Sequence, residues 1–263
     1  DGAGNPLIEG DYAVSYMWKD IWTKDTILDL LSKFIYVEKK KAKDHDTGKT
    51  KTKETLIFPR YHQLDLIRKV LADVKENHSS QNYLVEHSAG SGKTNSIAWL
   101  TFRLTSLHDD DDRIIFDTVI VVTDRVVVDR QLQAALLNMD HKIGQIRVMD
   151  EKCTSKDLAH ELQHHTKIIA TTIQKFPFIV DTVKGLGNLH FAVIIDEAHS
   201  STSGKDMMTL MHSLGSGDED ADDAEDFVTK QLEKTGKPAN LSVFAFTATP
   251  KATTLRMFGR PDE

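Results

Sequence analysis

Five short apolar runs constrain the fold more than any other feature of this chain. They lie at residues 83–86, 118–123, 167–172, 192–195 and 243–247, and segments long enough for helices, such as 94–107 and 127–137, separate them. Runs of this length that are apolar almost throughout suit strands buried on both faces, which is the situation of a parallel sheet. Neighbouring parallel strands also need a long crossover, usually a helix. The pattern therefore predicts an α/β fold over residues 56–263, with a mostly parallel sheet and helices on both of its faces. No repeat of the solenoid kind interrupts it.

Residues 1–55 read as a separate lead-in. DGAGNPLIEGDY is rich in turn formers and starts without methionine, so the expectation is irregular chain belonging to a longer protein. Within 21–34, Ile27, Leu30, Leu31 and Phe34 recur at helical spacing. FIYVEKKKAKD and TKTKETLIF then flank Gly48 and predict a lysine-rich β-hairpin, whose lysines read as solvated.

The longest apolar stretches are far too short to span a bilayer, and no charged-then-apolar secretion signal opens the chain, so the cytosol is expected and a membrane is not. Cys153 is the single cysteine, which excludes an internal disulfide and a cysteine-built zinc site. The net charge is −7, but much of the excess sits in two acidic runs, Asp109 to Asp112 and the segment from Asp218 to Asp226. Such runs read as solvated loops and leave room for a nucleic-acid track elsewhere.

YLVEHSAGSGKTNSIAWL joins an apolar strand, a turn of small residues and a helix-competent segment, the context that a phosphate-binding loop requires. Gly90 and Gly92 allow a tight turn without a Cβ clash, and the backbone N–H groups around Ser91, with the following helix N-terminus, supply positive potential. Lys93 is placed to reach the terminal phosphates of ATP, and the Thr94 hydroxyl to ligate Mg²⁺. The strict GxxxxGK(T/S) pattern has glycine where this chain has His87, which reads as a loop residue with a hydrogen-bonded ring.

FAVIIDEAHSS runs five apolar residues into two acids, the way a buried parallel strand delivers carboxylates to the ligand-binding edge of a sheet. Asp196 is the candidate Mg²⁺ ligand and Glu197 the candidate group that orients or deprotonates an attacking water.

AGSGKT, DEAH and FTATPK together resemble motifs I, II and III of superfamily 2 helicases and translocases, over residues 58–259. The resemblance implies a RecA-like P-loop NTPase lobe in which His199, Thr247 and Thr249 connect the nucleotide site to movement on nucleic acid. FPRYHQLDLIRKV, VVTDRVVVDRQL, TTIQKF, DEAHSSTSG and FTATPKATTLRMFG look more narrowly like the first motor region of the R (restriction) subunit of type I restriction-modification enzymes. That likeness implies that Gln63 reads the adenine edge, which an amide can do because it donates and accepts at once.

It also implies that Thr123 and Arg125 (motif Ia) and Thr171, Thr172 and Gln174 (motif Ib) meet the backbone of double-stranded DNA, in contacts that do not read sequence. The family's second motor lobe and nuclease domain would lie outside these residues, and modification and specificity subunits are the implied partners. Two other readings stay open. One is a different superfamily 2 DNA or RNA motor; the other is a nucleotide-binding regulatory module without hydrolysis, against which Glu197 argues.

Overall fold

The computed structural model describes residues 9–43, 50–88, 90–123, 130–139, 145–149, 152–196 and 224–258, in two compact units, Asp1–Lys69 and Val70–Glu263. In the first unit, the Thr23 hydroxyl accepts the Thr26 N–H at 3.4 Å and starts helix α1 at Lys24–Asp29. The helix widens into π-type turns over Leu30–Phe34 and stops where Ile35 becomes extended. The expected single helix over 21–34 is thus broken at a threonine cap. Arg68 donates to Asp20 at 3.0 Å and to the Thr26 hydroxyl at 2.7 Å.

Strands β1 (Tyr36–Lys43) and β2 (Thr50–Ile57) form the expected antiparallel hairpin, with Tyr36 opposite Ile57 and Lys39 opposite Glu54. The Lys39–Glu54 ion pair, at 3.1 Å, uses that register. Helix α2 (Tyr61–Asn77) follows Pro59 and runs across the boundary of the two units. Leu64, Ile67, Leu71 and Val74 recur at helical spacing and are buried. His78, at φ 56, ends the helix in the left-handed region while its N–H still reaches the Val74 carbonyl.

The second unit holds a six-stranded sheet built from β3 (Asn82–Glu86), β4 (Thr118–Thr123), β5 (Ile146–Val148), β6 (Ile168–Thr172), β7 (Phe191–Asp196) and β8 (Leu241–Thr247). Its order is β3-β8-β7-β4-β6-β5, and every neighbouring pair is parallel. All five apolar runs are strands of this sheet, and the three-residue β5 joins them.

Between the strands lie α3 (Lys93–Thr105), α4 (Arg130–Met139), α5 (Ser155–Gln163), α6 (Phe176–Lys184) and α7 (Ala224–Thr235), with α8 (Ala252–Phe258) after β8. Ile120, Ile169, Val193 and Val243 share one face of the sheet and pack with Leu158 and Leu162 of α5, Ile179 and Val183 of α6 and Phe227 and Val228 of α7. Helix α3 covers the other face against β4 and β7, and α4 packs beside it. Burial on both faces is the physical reason why these strands carry no polar alternation. Parallel pairing places Glu86, Thr247, Asp196, Thr123 and Thr172 together along one edge of the sheet.

Candidate functional site

Strand β3 ends at the exposed Glu86 and turns at the buried His87 into the glycine loop. Gly90 stands at φ +75 and Gly92 at φ +91, a backbone region that side-chain-bearing residues rarely adopt. Gly92 is also the N-cap of α3; it offers no side-chain cap, so Lys93 and Thr94 open the helix at its positive end. The His87 N–H donates to the Thr247 carbonyl at 2.8 Å and ties the start of the loop to the end of β8.

That tie matters because β8 lies between β3 and β7. The loop crosses the end of β8 and brings the Lys93 ammonium to 3.3 Å from Asp196 Oδ1, at the end of β7. Both side chains are nearly buried, 16% and 11% exposed, so a cation and an anion converge on one partly desolvated spot. Thr94, next to Lys93 in sequence, is half-buried. A lysine, a threonine hydroxyl, a carboxylate and a positive-φ glycine loop are the donor set that fits a phosphate chain and a hard divalent cation. Among the described residues, no cluster of three or more His, Cys, Asp and Glu offers an all-protein metal cage.

The His87 ring is 4% exposed. Nδ1 bonds the Ser91 hydroxyl inside the loop, and Nε2 lies 3.0 Å from the Ser96 hydroxyl in α3. Ser96 was not singled out in the sequence. Its signal was a hydroxyl one turn before Leu100 and two before Leu104, on a stripe that the structure buries completely.

The remaining candidates separate. Thr247 is buried at the end of β8, while Thr249, on the bend that follows, is exposed. Glu197, His199 and Arg125 lie outside the described residues. Gln63 belongs to the first unit, where its Oε1 accepts the Arg60 N–H at 2.8 Å, a capping bond in the first turn of α2.

The hydroxyls of Thr123 and Thr171 lie inside the sheet. Thr171 is fully buried and its Oγ1 has no hydrogen-bond partner among the described residues, and Thr123 donates to the Thr171 carbonyl at 3.5 Å inside the sheet. Strand alternation explains it: Thr171 follows Ile169 onto the face covered by α5 and α6. Thr172 is buried at the strand end, and Gln174, in the short turn Ile173–Lys175, keeps part of its surface in solvent.

The sequence model of the SWI2/SNF2 ATPase matches residues 62–260, a span that contains the loop, Asp196 and the end of β8. The chain belongs to the SWI2/SNF2 ATPase family. This SWI2/SNF2 ATPase is 25% identical, over 225 residues, to a Methanocaldococcus jannaschii chain assigned as the MjaVIIIP endonuclease subunit of a type I restriction enzyme. The match covers 75% of this chain and 21% of that one, so the chain spans about a fifth of the curated relative's length.

Two solved structures are also similar. One is a nuclease-deletion mutant of the Type ISP restriction-modification enzyme LlaGI in complex with a DNA substrate mimic: 16% identity, 74% of this chain, 18% of that chain, TM-score 0.47. The other is the Pyrococcus furiosus Hef helicase domain: 16% identity, 76% and 36% coverage, TM-score 0.45. The family and the parallel sheet make this a RecA-like ATPase lobe of the superfamily 2 helicase type. No helix among the described residues is long and apolar enough to cross a membrane.

Proposed function

We propose that this ATPase lobe is the first motor lobe of a type I restriction R subunit, coupling ATP hydrolysis to translocation on double-stranded DNA ahead of cleavage by a nuclease domain. The observation that carries the reading is the convergence of Lys93 and Asp196 at 3.3 Å behind a positive-φ glycine loop. Bound Mg-ATP would supply the scissile phosphate bond and the negative charge that takes Asp196's place beside Lys93. Backbone N–H groups from Gly90 through Gly92 cradle phosphate oxygens, and Lys93 holds the terminal phosphates. Thr94 and Asp196 hold Mg²⁺, and Glu197 orients the attacking water.

His199, Thr247 and Thr249 relay the nucleotide state to the DNA track. Thr247 suits that role because its carbonyl is bonded to the loop through His87, and Thr249 because it is exposed. Gln174, with Arg125 and Thr172, is the phosphate-contacting set; Thr123 and Thr171 support it from inside the sheet. Modification and specificity subunits in the cytosol complete the assembly.

In such motors a second lobe contributes the arginines that stabilise the transferred phosphate, worth about 10³ to 10⁵ in rate. The test is phosphate release, with and without duplex DNA, by this chain and by the R subunit assembled with its partners. Strong DNA stimulation is expected of the assembly and none of the 263-residue chain. An assembly indifferent to DNA would sink the motor reading, and robust DNA-stimulated turnover by this chain would sink the two-lobe mechanism.

A further inference from the structure

Position 87 carries an imidazole where a strict phosphate loop has glycine, and that imidazole is in contact with two hydroxyls. The protons can be assigned from stoichiometry. The Ser91 hydroxyl has one hydrogen and gives it to the Ser88 carbonyl. Ser91 Oγ therefore accepts from His87, and Nδ1 carries the ring hydrogen. With the ring neutral, the form this assignment takes, Nε2 is the acceptor for the Ser96 hydroxyl hydrogen, at 3.0 Å.

The result is a one-way chain of donors from Ser96 through His87 and Ser91 to the Ser88 carbonyl. Links of this kind polarise one another and hold better inside a protein than in water. The chain begins one turn into α3, since the Ser96 N–H bonds the Gly92 carbonyl at 3.2 Å, and it ends inside the loop. The backbone N–H of the same histidine holds the Thr247 carbonyl.

We infer that His87 is a positioning residue for the nucleotide: its ring fixes the loop around Ser91 against the first turn of α3 before ligand arrives. Gly90 and Gly92 are thereby held at positive φ, and Lys93 and Thr94 are set in register with the loop N–H groups. The histidine itself does not touch the nucleotide. The inference rests on the nucleotide-binding reading above. A preformed loop favours every bound nucleotide alike, so the relay acts on affinity and KM and leaves kcat in place. A histidine that only filled the space beside Phe246, 6.4 Å from its ring centroid, would act on stability alone.

The experiment measures Kd for Mg-ATP and Mg-ADP on the 263-residue chain, in wild type, Lys93→Ala, His87→Ala, His87→Gln, Ser96→Ala and the His87→Ala/Ser96→Ala double variant. Ser96→Ala is expected to weaken both nucleotides about tenfold, the effect of one lost buried hydrogen bond, and His87→Ala, which loses the bonds to both Ser91 and Ser96, at least as much. The double variant should be no weaker than His87→Ala, because both substitutions cut one chain. His87→Gln, whose amide can still reach Ser96, should recover part of the loss.

Unchanged affinity in His87→Ala with a lowered unfolding midpoint, or losses that simply add, would overturn the inference. If His87→Ala does not fold, Ser96→Ala, which removes one oxygen, decides by itself: unchanged affinity overturns the relay. Failure of the underlying reading looks different, since wild type would then not bind Mg-ATP, or Lys93→Ala would bind it equally well.

Discussion

At the amino end of β8, Asn240 offers its amide nitrogen to the carbonyls of Val183, Leu186 and Leu189 at 2.8 to 3.1 Å. At the carboxyl end of β7, the next strand over, the Asp196 carboxylate faces the Lys93 ammonium across 3.3 Å. The rest of each edge follows suit. On the amino side, Asp117 and His190 exchange two bonds of 2.8 Å, and Lys237 donates to the Ser80 carbonyl at 2.7 Å while burial pulls its pKa down to about 8. On the carboxyl side stand two positive-φ glycines and a nearly buried charged pair. One edge joins the end of α6 to the strands through neutral hydrogen bonds. The other concentrates charge, where the proposed function places the nucleotide.

The comparison is broken most directly by exchanging effects between the edges. Lys93→Ala should lower ATP turnover in the assembled enzyme by about 10² to 10³, the effect of removing one charge-stabilising donor. Its effect on nucleotide-free stability should stay within about 2 kcal/mol, because the pair it breaks is neither fully buried nor exposed. Phosphate release and urea unfolding on the same preparation would show both; a larger stability loss with intact turnover would reverse the assignment of the edges.

Asn240→Ala should do the opposite. Three carbonyls lose a shared donor in a site that is 6% exposed, which should cost about 2 to 3 kcal/mol of stability. The KM for ATP should stay within about twofold, since Asn240 lies at the end of the sheet opposite the glycine loop and Lys93. A raised KM with unchanged unfolding would place Asn240 in the working machinery.

The smallest effect sharpens the boundary between the edges. Thr171→Val removes a buried hydroxyl without a partner among the described residues and keeps the shape of the side chain, so stability should rise by about 1 kcal/mol. DNA affinity should not move. A salt-dependent fall in DNA binding by a well-folded Thr171→Val protein would restore the hydroxyl to the track.

These expectations also show how far the sequence could be read. The five strands were legible because burial on both faces leaves an unbroken apolar run, and Gly90, Gly92 and Lys93 because few other structures need that grouping. β5 was not legible, since Ile146, Arg147 and Val148 are too few to show a period. The break in the first helix turned on Thr23, a residue equally at home inside a helix or capping it. The burial of Thr171 was not legible because a threonine at a strand end can face either way, and only the cover of α5 and α6 decides. The His87 relay and the Asn240 hub join residues that no spacing rule connects; Asn240 and Val183 are 57 residues apart.

The position of β3 at the margin of the sheet has a consequence for how the protein is made. Its partner is β8, and the bond from the Gln81 N–H to the Ser242 hydroxyl spans 161 residues. At about 5 to 20 residues per second, the strand that leads into the glycine loop waits roughly ten to thirty seconds on the ribosome for its neighbour. If the loop binds nucleotide as proposed, capture should wait until β8 has been made. A nascent chain stalled before Leu241 should fail to retain ATP, and one stalled well beyond Phe258 should hold it.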